Sequence, residues 1–208
     1  MDIRSFQLGP VGTNCYIITK NDKSIIIDPG HNDKRLMDYI RKENLNIEKI
    51  LLTHGHFDHI AGTDMVRDAT GAKVYIHELD NEMLSNPNKN GSALMMGMGI
   101  KIREADEFVY DGEKIDFEGS AIEVIFTPGH SKGGVCYKID DAGVIFCGDT
   151  LFLRSIGRTD LYGGSIEVLE SSIRNKIYTL DKNYTLLSGH GDPTDIEGEK
   201  KYNGFFRA

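Results

Sequence analysis

The chain has 208 residues, 39% of them hydrophobic and 27% charged, and a formal net charge of −8. That length suits one substantial domain over 1–208 and is short for two, while the acidic balance argues against a nucleic-acid backbone as the main partner. No run of about 18 apolar residues is present, so a membrane-crossing helix is not expected.

In chain order, runs 3–8 (IRSFQL), 14–19 (NCYIIT) and 24–28 (SIIID) are rich in β-branched and aromatic residues and read as strands between short turns. A helix is expected over 33–44, where Leu36, Met37 and Ile40 fall at helical spacing. Residues 47–53 (IEKILLT) read as a short buried strand, 59–70 as a helix stopped by Gly71, and 72–77 as the next strand. The stretch 85–104, with its Pro, Gly and Asn punctuation and Met95, Met96 and Met98, reads as a long irregular loop or lid. Strands follow over 113–118, 121–127, 134–139 and 143–148. An amphipathic helix over 165–180 places Ile166, Leu169, Ile173 and Ile177 on one stripe, and a strand over 184–189 and a short helix over 195–203 close the chain. Two blocks of strands and helices in similar order imply two packed sheets with helices outside.

The N-terminal MDIRSFQLGP has neither a basic segment nor an apolar one of secretory type, so a cytoplasmic location is expected. Cys15, Cys136 and Cys147 lie far apart in apolar stretches with no CxxC, as buried reduced thiols do.

The chemistry concentrates in LLTHGHFDH (51–59). A core would not ask for three imidazoles and a carboxylate together, and turn chemistry does not favour histidine. A metal site accounts for them. His54 and His56, two apart at a strand end, are placed to converge on one cation, and Asp58 and His59 on a second. Three further groups follow strands and have glycine beside them: His130 in TPGH (127–130), Asp149 in CGDT (147–150) and His190 in SGHG (188–191). The expected arrangement is binuclear. His54, His56 and His130 hold the first ion, Asp58, His59 and His190 the second, and Asp149 bridges. Imidazole and carboxylate ligands suit two divalent ions, zinc first, with iron or manganese also suited. Such a pair brings a shared water toward ionisation at neutral pH and polarises a carbonyl, which are the needs of acyl hydrolysis. Asp28 reads either as an acceptor that orients a ligand imidazole or as the cap of the DPG turn. His77 reads as a strand-to-helix boundary, and His31 as a weaker candidate near the site.

THGHFDH, TPGH, the GDT carrying Asp149 and the GH at 189–190 resemble the metallo-β-lactamase superfamily in order and approximate spacing. The resemblance implies an αββα sandwich, two mixed β-sheets packed face to face with helices on the outer faces. Within it, GDTLFLRSIGRTDLYGGS (148–165) and SGHGDPTDIEGEKKYNGFF (188–206) resemble the short glyoxalase II-like hydrolases. The departures are Asp192 between Gly191 and Pro193, and Gly204 in place of a proline. The implied activity is hydrolysis of a small-molecule acyl thioester, 2-hydroxyacyl in type, by a metal-bridging hydroxide that Asp58 orients as the catalytic carboxylate. Arg158 would bind a substrate acid or pair with Asp160. The helical C-terminal domain with which hydroxyacylglutathione hydrolases bind glutathione has no counterpart here, so another thiol is expected. Antibiotic hydrolysis is not expected. A mononuclear non-haem iron persulfide dioxygenase, whose relatives also carry GRTD, and a lactone hydrolase stay open as alternatives. Neither nucleic acid nor membrane is an expected partner, and the oligomeric state is not legible.

Overall fold

Most strands of this chain are apolar at consecutive positions, and the computed structural model, which describes residues 1–208, accounts for it: each sheet is buried on both faces. The first half of the chain runs β1 (Asp2–Leu8), β2 (Thr13–Lys20), β3 (Lys23–Ile27), α1 (Lys34–Lys42), β4 (Asn46–Leu51), α2 (Phe57–Ile60), α3 (Thr63–Thr70), β5 (Lys73–His77), α4 (Glu78–Leu84), α5 (Ser92–Met96) and β6 (Glu107–Val109). The second half runs β7 (Lys114–Phe117), β8 (Ser120–Phe126), β9 (Val135–Ile139), β10 (Val144–Gly148), the hairpin β11 (Leu151–Phe152) and β12 (Ser155–Ile156), α6 (Ile166–Ser172), β13 (Thr185–Ser188), β14 (Thr194–Asp195) and α7 (Ile196–Tyr202). The first six strands form one sheet in sequence order, antiparallel through β3 and parallel from β3 to β6. The second sheet has the order β14-β13-β10-β9-β8-β7, with β10 and β13 its parallel pair.

Strand alternation sorts the side chains into three cores. Tyr16, Ile18, Ile25, Ile27 and Leu51 of the first sheet meet Val124, Tyr137, Ile139 and Phe146 of the second. Cys15, Ile17, Ile26 and Ile50 point the other way, onto Leu36, Met37 and Ile40 of α1 and Val66 of α3. Cys136, Ile145 and Cys147 likewise leave the second sheet for Leu169 of α6 and Ile196 of α7. The layers are therefore helix, sheet, sheet, helix, as the αββα reading requires. All three cysteines are buried free thiols.

Three elements differ from the sequence reading. The helix expected over 59–70 is broken into α2 and α3 at Gly62, whose N–H donates to the Pro29 carbonyl at 2.7 Å. A Cβ there would overlap the Pro29 and His31 carbonyls, so the chain bends where 29–31 presses against it. The helix expected over 165–180 is α6 followed by a π-helical turn, Ile173–Ile177. Leu169, Ile173 and Ile177 are buried as expected, but Ile166 is exposed at the first turn. The loop 85–104 contains α5, and its base is clasped rather than loose. The buried Asn90 side chain donates to the carbonyls of Met83 (3.0 Å) and Ile100 (2.9 Å), and Ser92 Oγ accepts from the Ile100 N–H at 2.9 Å.

Candidate metal centre

The loops that leave β4, β8, β10 and β13 at their C-terminal ends converge where the two sheets meet. Bonds across the seam fix them: the Val135 N–H donates to the Thr53 carbonyl at 2.9 Å and the Asn14 N–H to the Gly189 carbonyl at 2.7 Å. Tyr137 Oη donates to the Leu52 carbonyl at 2.9 Å, and Asn14 Nδ2 to the Ser188 carbonyl at 3.0 Å. All seven groups singled out in the sequence come together there.

One set of ligand atoms, within 4.8 Å of one another, comes from His54, His56 and His130, and another from Asp58, His59 and His190. Each set takes two groups from the β4 loop and one from the second sheet. Asp149 lies between them, its Oδ1 at 3.2 Å from His59 Nε2 and its Oδ2 at 3.6 Å from both His130 Nε2 and His190 Nε2. His190 Nε2 is 3.1 Å from Asp58 Oδ2.

Hydrogen bonds behind the rings determine which nitrogens face the centre. Thr53 Oγ1 donates to Asp28 Oδ2 at 2.6 Å, so its lone pair accepts the Nδ1–H of His54 at 3.0 Å. His59 Nδ1 donates to the same Asp28 oxygen at 2.8 Å, and His130 Nδ1 to the Arg158 carbonyl at 2.7 Å. The Nε2 atoms of His54 and His130 then meet as two lone pairs 3.2 Å apart, with His56 Nδ1 at 2.8 Å from His130 Nε2. Facing lone pairs repel unless a cation sits between them. Tetrahedral nitrogen ligands at ~2.0–2.1 Å from zinc would stand ~3.3 Å apart, near the spacing of the two Nε2 atoms. The buried His59 Nε2 and Asp149 Oδ1 approach each other yet make no hydrogen bond, as two donors to a shared cation would. The residues present thus fit divalent cations.

The electrostatics agree. Burial pushes His54 well below the ordinary imidazole range and His56 down to about 3, so both are neutral donors at neutral pH. Burial also disfavours charge on His59, but Asp149, Asp58 and Asp28 outweigh it and favour positive charge at that position. Burial would raise the Asp149 and Asp58 carboxyls, yet the surrounding imidazoles, His59 foremost, hold both below the usual range.

Of the two readings of Asp28, orientation of ligand rings is the geometry observed. Arg158 pairs with Asp160, Nε to Oδ1 at 2.7 Å and Nη2 to Oδ2 at 2.8 Å, and also borders the cavity above the ligands, about 360 Å³ in volume. His77 ends β5 and caps α4, and the exposed His31 lies outside both ligand sets.

Two positioning groups escaped the sequence. Thr53 links Asp28 to His54. Asp80, fully buried in the first turn of α4, accepts from Gly55 N–H (3.0 Å), Gly133 N–H (2.6 Å) and Ser131 Oγ (2.7 Å), tying the His54/His56 loop to the His130 loop. Burial pushes the Asp80 carboxyl up, against those three bonds. In the sequence HELD (77–80) it is indistinguishable from an ordinary acid at a helix start.

A family model for the metallo-β-lactamase superfamily matches residues 8–190. The chain is 38% identical to a probable metallo-hydrolase, YqgX, of Bacillus subtilis over 205 residues, covering 99% of this chain and 97% of that one. It is 31% identical over 210 residues to the hydroxyacylglutathione hydrolase GloC of Haemophilus influenzae, covering 100% and 99%. Among solved structures, the B3 metallo-β-lactamase BLEG-1 superposes with a TM-score of 0.94 at 38% identity, covering 98% of this chain and 99% of that one. TTHA1623 in a di-iron-bound form superposes with a TM-score of 0.86 at 29% identity, covering 98% and 100%.

Proposed function

We propose that this chain, which belongs to the metallo-β-lactamase superfamily, is a binuclear metal-dependent hydrolase that cleaves a small acyl thioester. The observation that carries the reading is the pair of ligand sets with Asp149 between them, which offers donors for two ions side by side. The GloC relative supports a thioester substrate, and because a protein named for a glutathione thioester is matched over 99% of its own length, the expectation that glutathione needs an added helical domain is withdrawn and glutathione stands among the candidate carriers. We assign zinc as the metal, with iron the competing assignment because TTHA1623 holds two irons on a similar chain.

When bound, the two ions supply a water acidified toward neutrality and polarise the thioester carbonyl. The chain's own groups do the rest. Asp58 is anchored by Thr13 Oγ1 at 3.2 Å and by His190 at 3.1 Å, and it borders the cavity, where it accepts a hydrogen bond from the attacking water and fixes its direction. A C–O bond forms between that water and the acyl carbon, and the C–S bond breaks. The sulfur leaves as a thiolate that takes up one proton, and the water's other proton goes to solvent as the carboxylate product forms. Asp28, Thr53 and the Arg158 carbonyl hold the imidazoles so that their free nitrogens stay aimed at the ions. Arg158, on the cavity wall but paired with Asp160, would have to share its guanidinium to meet an acid on the thiol carrier.

The deciding experiment is metal quantification on protein purified without added metal, followed by release of thiol from a panel of acyl thioesters. Two ions per chain with thioester turnover is the expected result. One iron per chain with persulfide-dependent oxygen consumption would overturn it in favour of a dioxygenase. The similarity to BLEG-1 favours a second reading, opening of a β-lactam amide in the same cleft; loss of β-lactam absorbance by the same protein distinguishes that reaction.

A further inference from the structure

Glu199 of α7 is fully buried, although the sequence around it, EGEKKY (197–202), reads as a solvated helix face. A buried carboxylate needs compensating partners, and Glu199 has four donors. Its Oε2 accepts from the Arg154 N–H at 3.0 Å and from Asn203 Nδ2 at 2.8 Å. Its Oε1 accepts from Arg154 Nη1 at 3.0 Å and from Thr194 Oγ1 at 2.5 Å. Arg154 lies in the turn between β11 and β12 at φ +62°, the left-handed region that favours glycine. Contacts from the C-terminal helix hold an arginine there. Nη1 also donates to the Gly198 carbonyl at 2.6 Å, and the guanidinium lies 4.9 Å from the centre of the Tyr202 ring. The same turn receives two further bonds, from the Gly204 N–H to the Arg154 carbonyl at 3.2 Å and from Asn203 Nδ2 to the Ser155 carbonyl at 3.0 Å.

The hairpin clamped in this way lies against both ligand sets. Phe152, Ser155 and Ile156 border the cavity above the ligands, and the Phe152 ring centre is 6.1 Å from that of His190. Just past β12, a Cβ on Gly157 would overlap the Asp149 carbonyl oxygen and press on His130 Nδ1, so the chain passes there without clearance. The next residue supplies the Arg158 carbonyl that accepts the His130 Nδ1–H. In packing this close, a shift of the hairpin is passed on to the Asp149 backbone and to the His130 ring.

We infer that Glu199 is a positioning residue of the metal centre: through Arg154 it fixes the β11–β12 hairpin, and through Gly157 and Arg158 the hairpin fixes the aim of His130. The inference rests on the reading of His54, His56 and His130 as one ligand set. It gives α7 a part in the site although none of its residues borders the cavity.

The test uses the whole chain, two variants and a control. In Glu199→Gln, either orientation of the amide turns its NH2 toward an Arg154 donor, so a tie to the hairpin is lost while the side-chain volume is kept. Asn203→Ala removes the donor shared by the Ser155 carbonyl and Glu199. The control, Thr194→Val, removes a bond to the same carboxylate from β14 and none to the hairpin. Zinc and ferrous iron affinities are measured by chelator competition. In metal-depleted protein, hydrogen exchange at His130 Nδ1–H is followed by NMR. Both variants are expected to bind metal about tenfold more weakly, the low end for groups that orient ligand imidazoles, and to exchange the His130 proton faster. Thr194→Val is expected to match the wild type in both readouts even where its melting temperature falls. Wild-type affinity and exchange in Glu199→Gln and Asn203→Ala overturn the inference. So does an equal loss of affinity in Thr194→Val, which would make the effect one of general stability. A wild-type chain that binds neither ion overturns the metal reading, while exchange at His130 still decides whether Glu199 sets that ring, so the two failures are separable.

Discussion

At the scale of single residues, the centre depends on carboxylates with separate duties. Asp58 faces the cavity, and Asp58→Asn keeps the shape while removing the charge proposed to orient water. Turnover is expected to drop ~10²–10⁴-fold with the thermal transition nearly unmoved, and a variant that still hydrolyses thioesters at the full rate would remove Asp58 from the mechanism. Asp80 touches no substrate and acts through the loops it ties. Asp80→Asn keeps its volume but replaces one acceptor oxygen by a donor that faces N–H groups at Gly55 or Gly133. Metal affinity of the three-histidine set is expected to weaken ~10–100-fold in a chelator competition, with the far-ultraviolet spectrum unchanged. Affinity equal to wild type would reduce Asp80 to a packing residue. The convergence of the seven candidate ligands was legible in the sequence because HxHxDH has no economical explanation except metal. Asp80 and Thr53 were not, because their importance lies in burial and in bonds to distant backbone, and neither leaves a local pattern.

At the scale of elements, strands read well and interruptions did not. Strands such as 14–19 and 143–148 declared themselves because burial on both faces writes a continuous apolar run. The break at Gly62 was hidden, since it is imposed by Pro29 and His31, thirty residues earlier, pressing on a stretch whose own propensities favour one helix. Gly62→Ala is therefore expected to destabilise the chain by ~1–3 kcal/mol by denaturant titration, where an ordinary helix site would gain from the change. Unchanged or increased stability would show that the carbonyls can yield. The clasp under α5 was hidden for a related reason: Asn90 reads as turn punctuation until its partners at Met83 and Ile100 are seen. Asn90→Ala strips the Ile100 carbonyl of its donor and the Met83 carbonyl of one of its donors, and should make 85–104 the first site of proteolytic cleavage; a digestion pattern identical to wild type would count against the clasp.

At the scale of the whole molecule, the ligands behave as a crosslink between sheets. Each set combines groups from the β4 loop of the first sheet with one from the second, and Asp149 adds a further link. Each ion held at a thousand times its dissociation constant would add ~4 kcal/mol to the folded state, ~8 kcal/mol for two, so chelation of both is expected to lower the melting temperature by ~16–32 °C for a chain of this size. A scan that is indifferent to chelator would mean that the site is not loaded in the native protein. The layered architecture itself was legible from the order of strands and helices, whereas the short pairings β6, β11–β12 and β14 were not, being two or three residues long and defined by their neighbours.

The division of each ligand set between the sheets has a consequence for how the protein matures. Before the sheets dock, the first half of the chain can gather Asp28, His54, His56, Asp58 and His59, but it lacks His130, Asp149 and His190, so neither ligand set is complete. Full-strength uptake of both ions is therefore expected only once the Asn14–Gly189 and Thr53–Val135 seams have closed. Full metal occupancy would then report that the two halves of the chain have found each other.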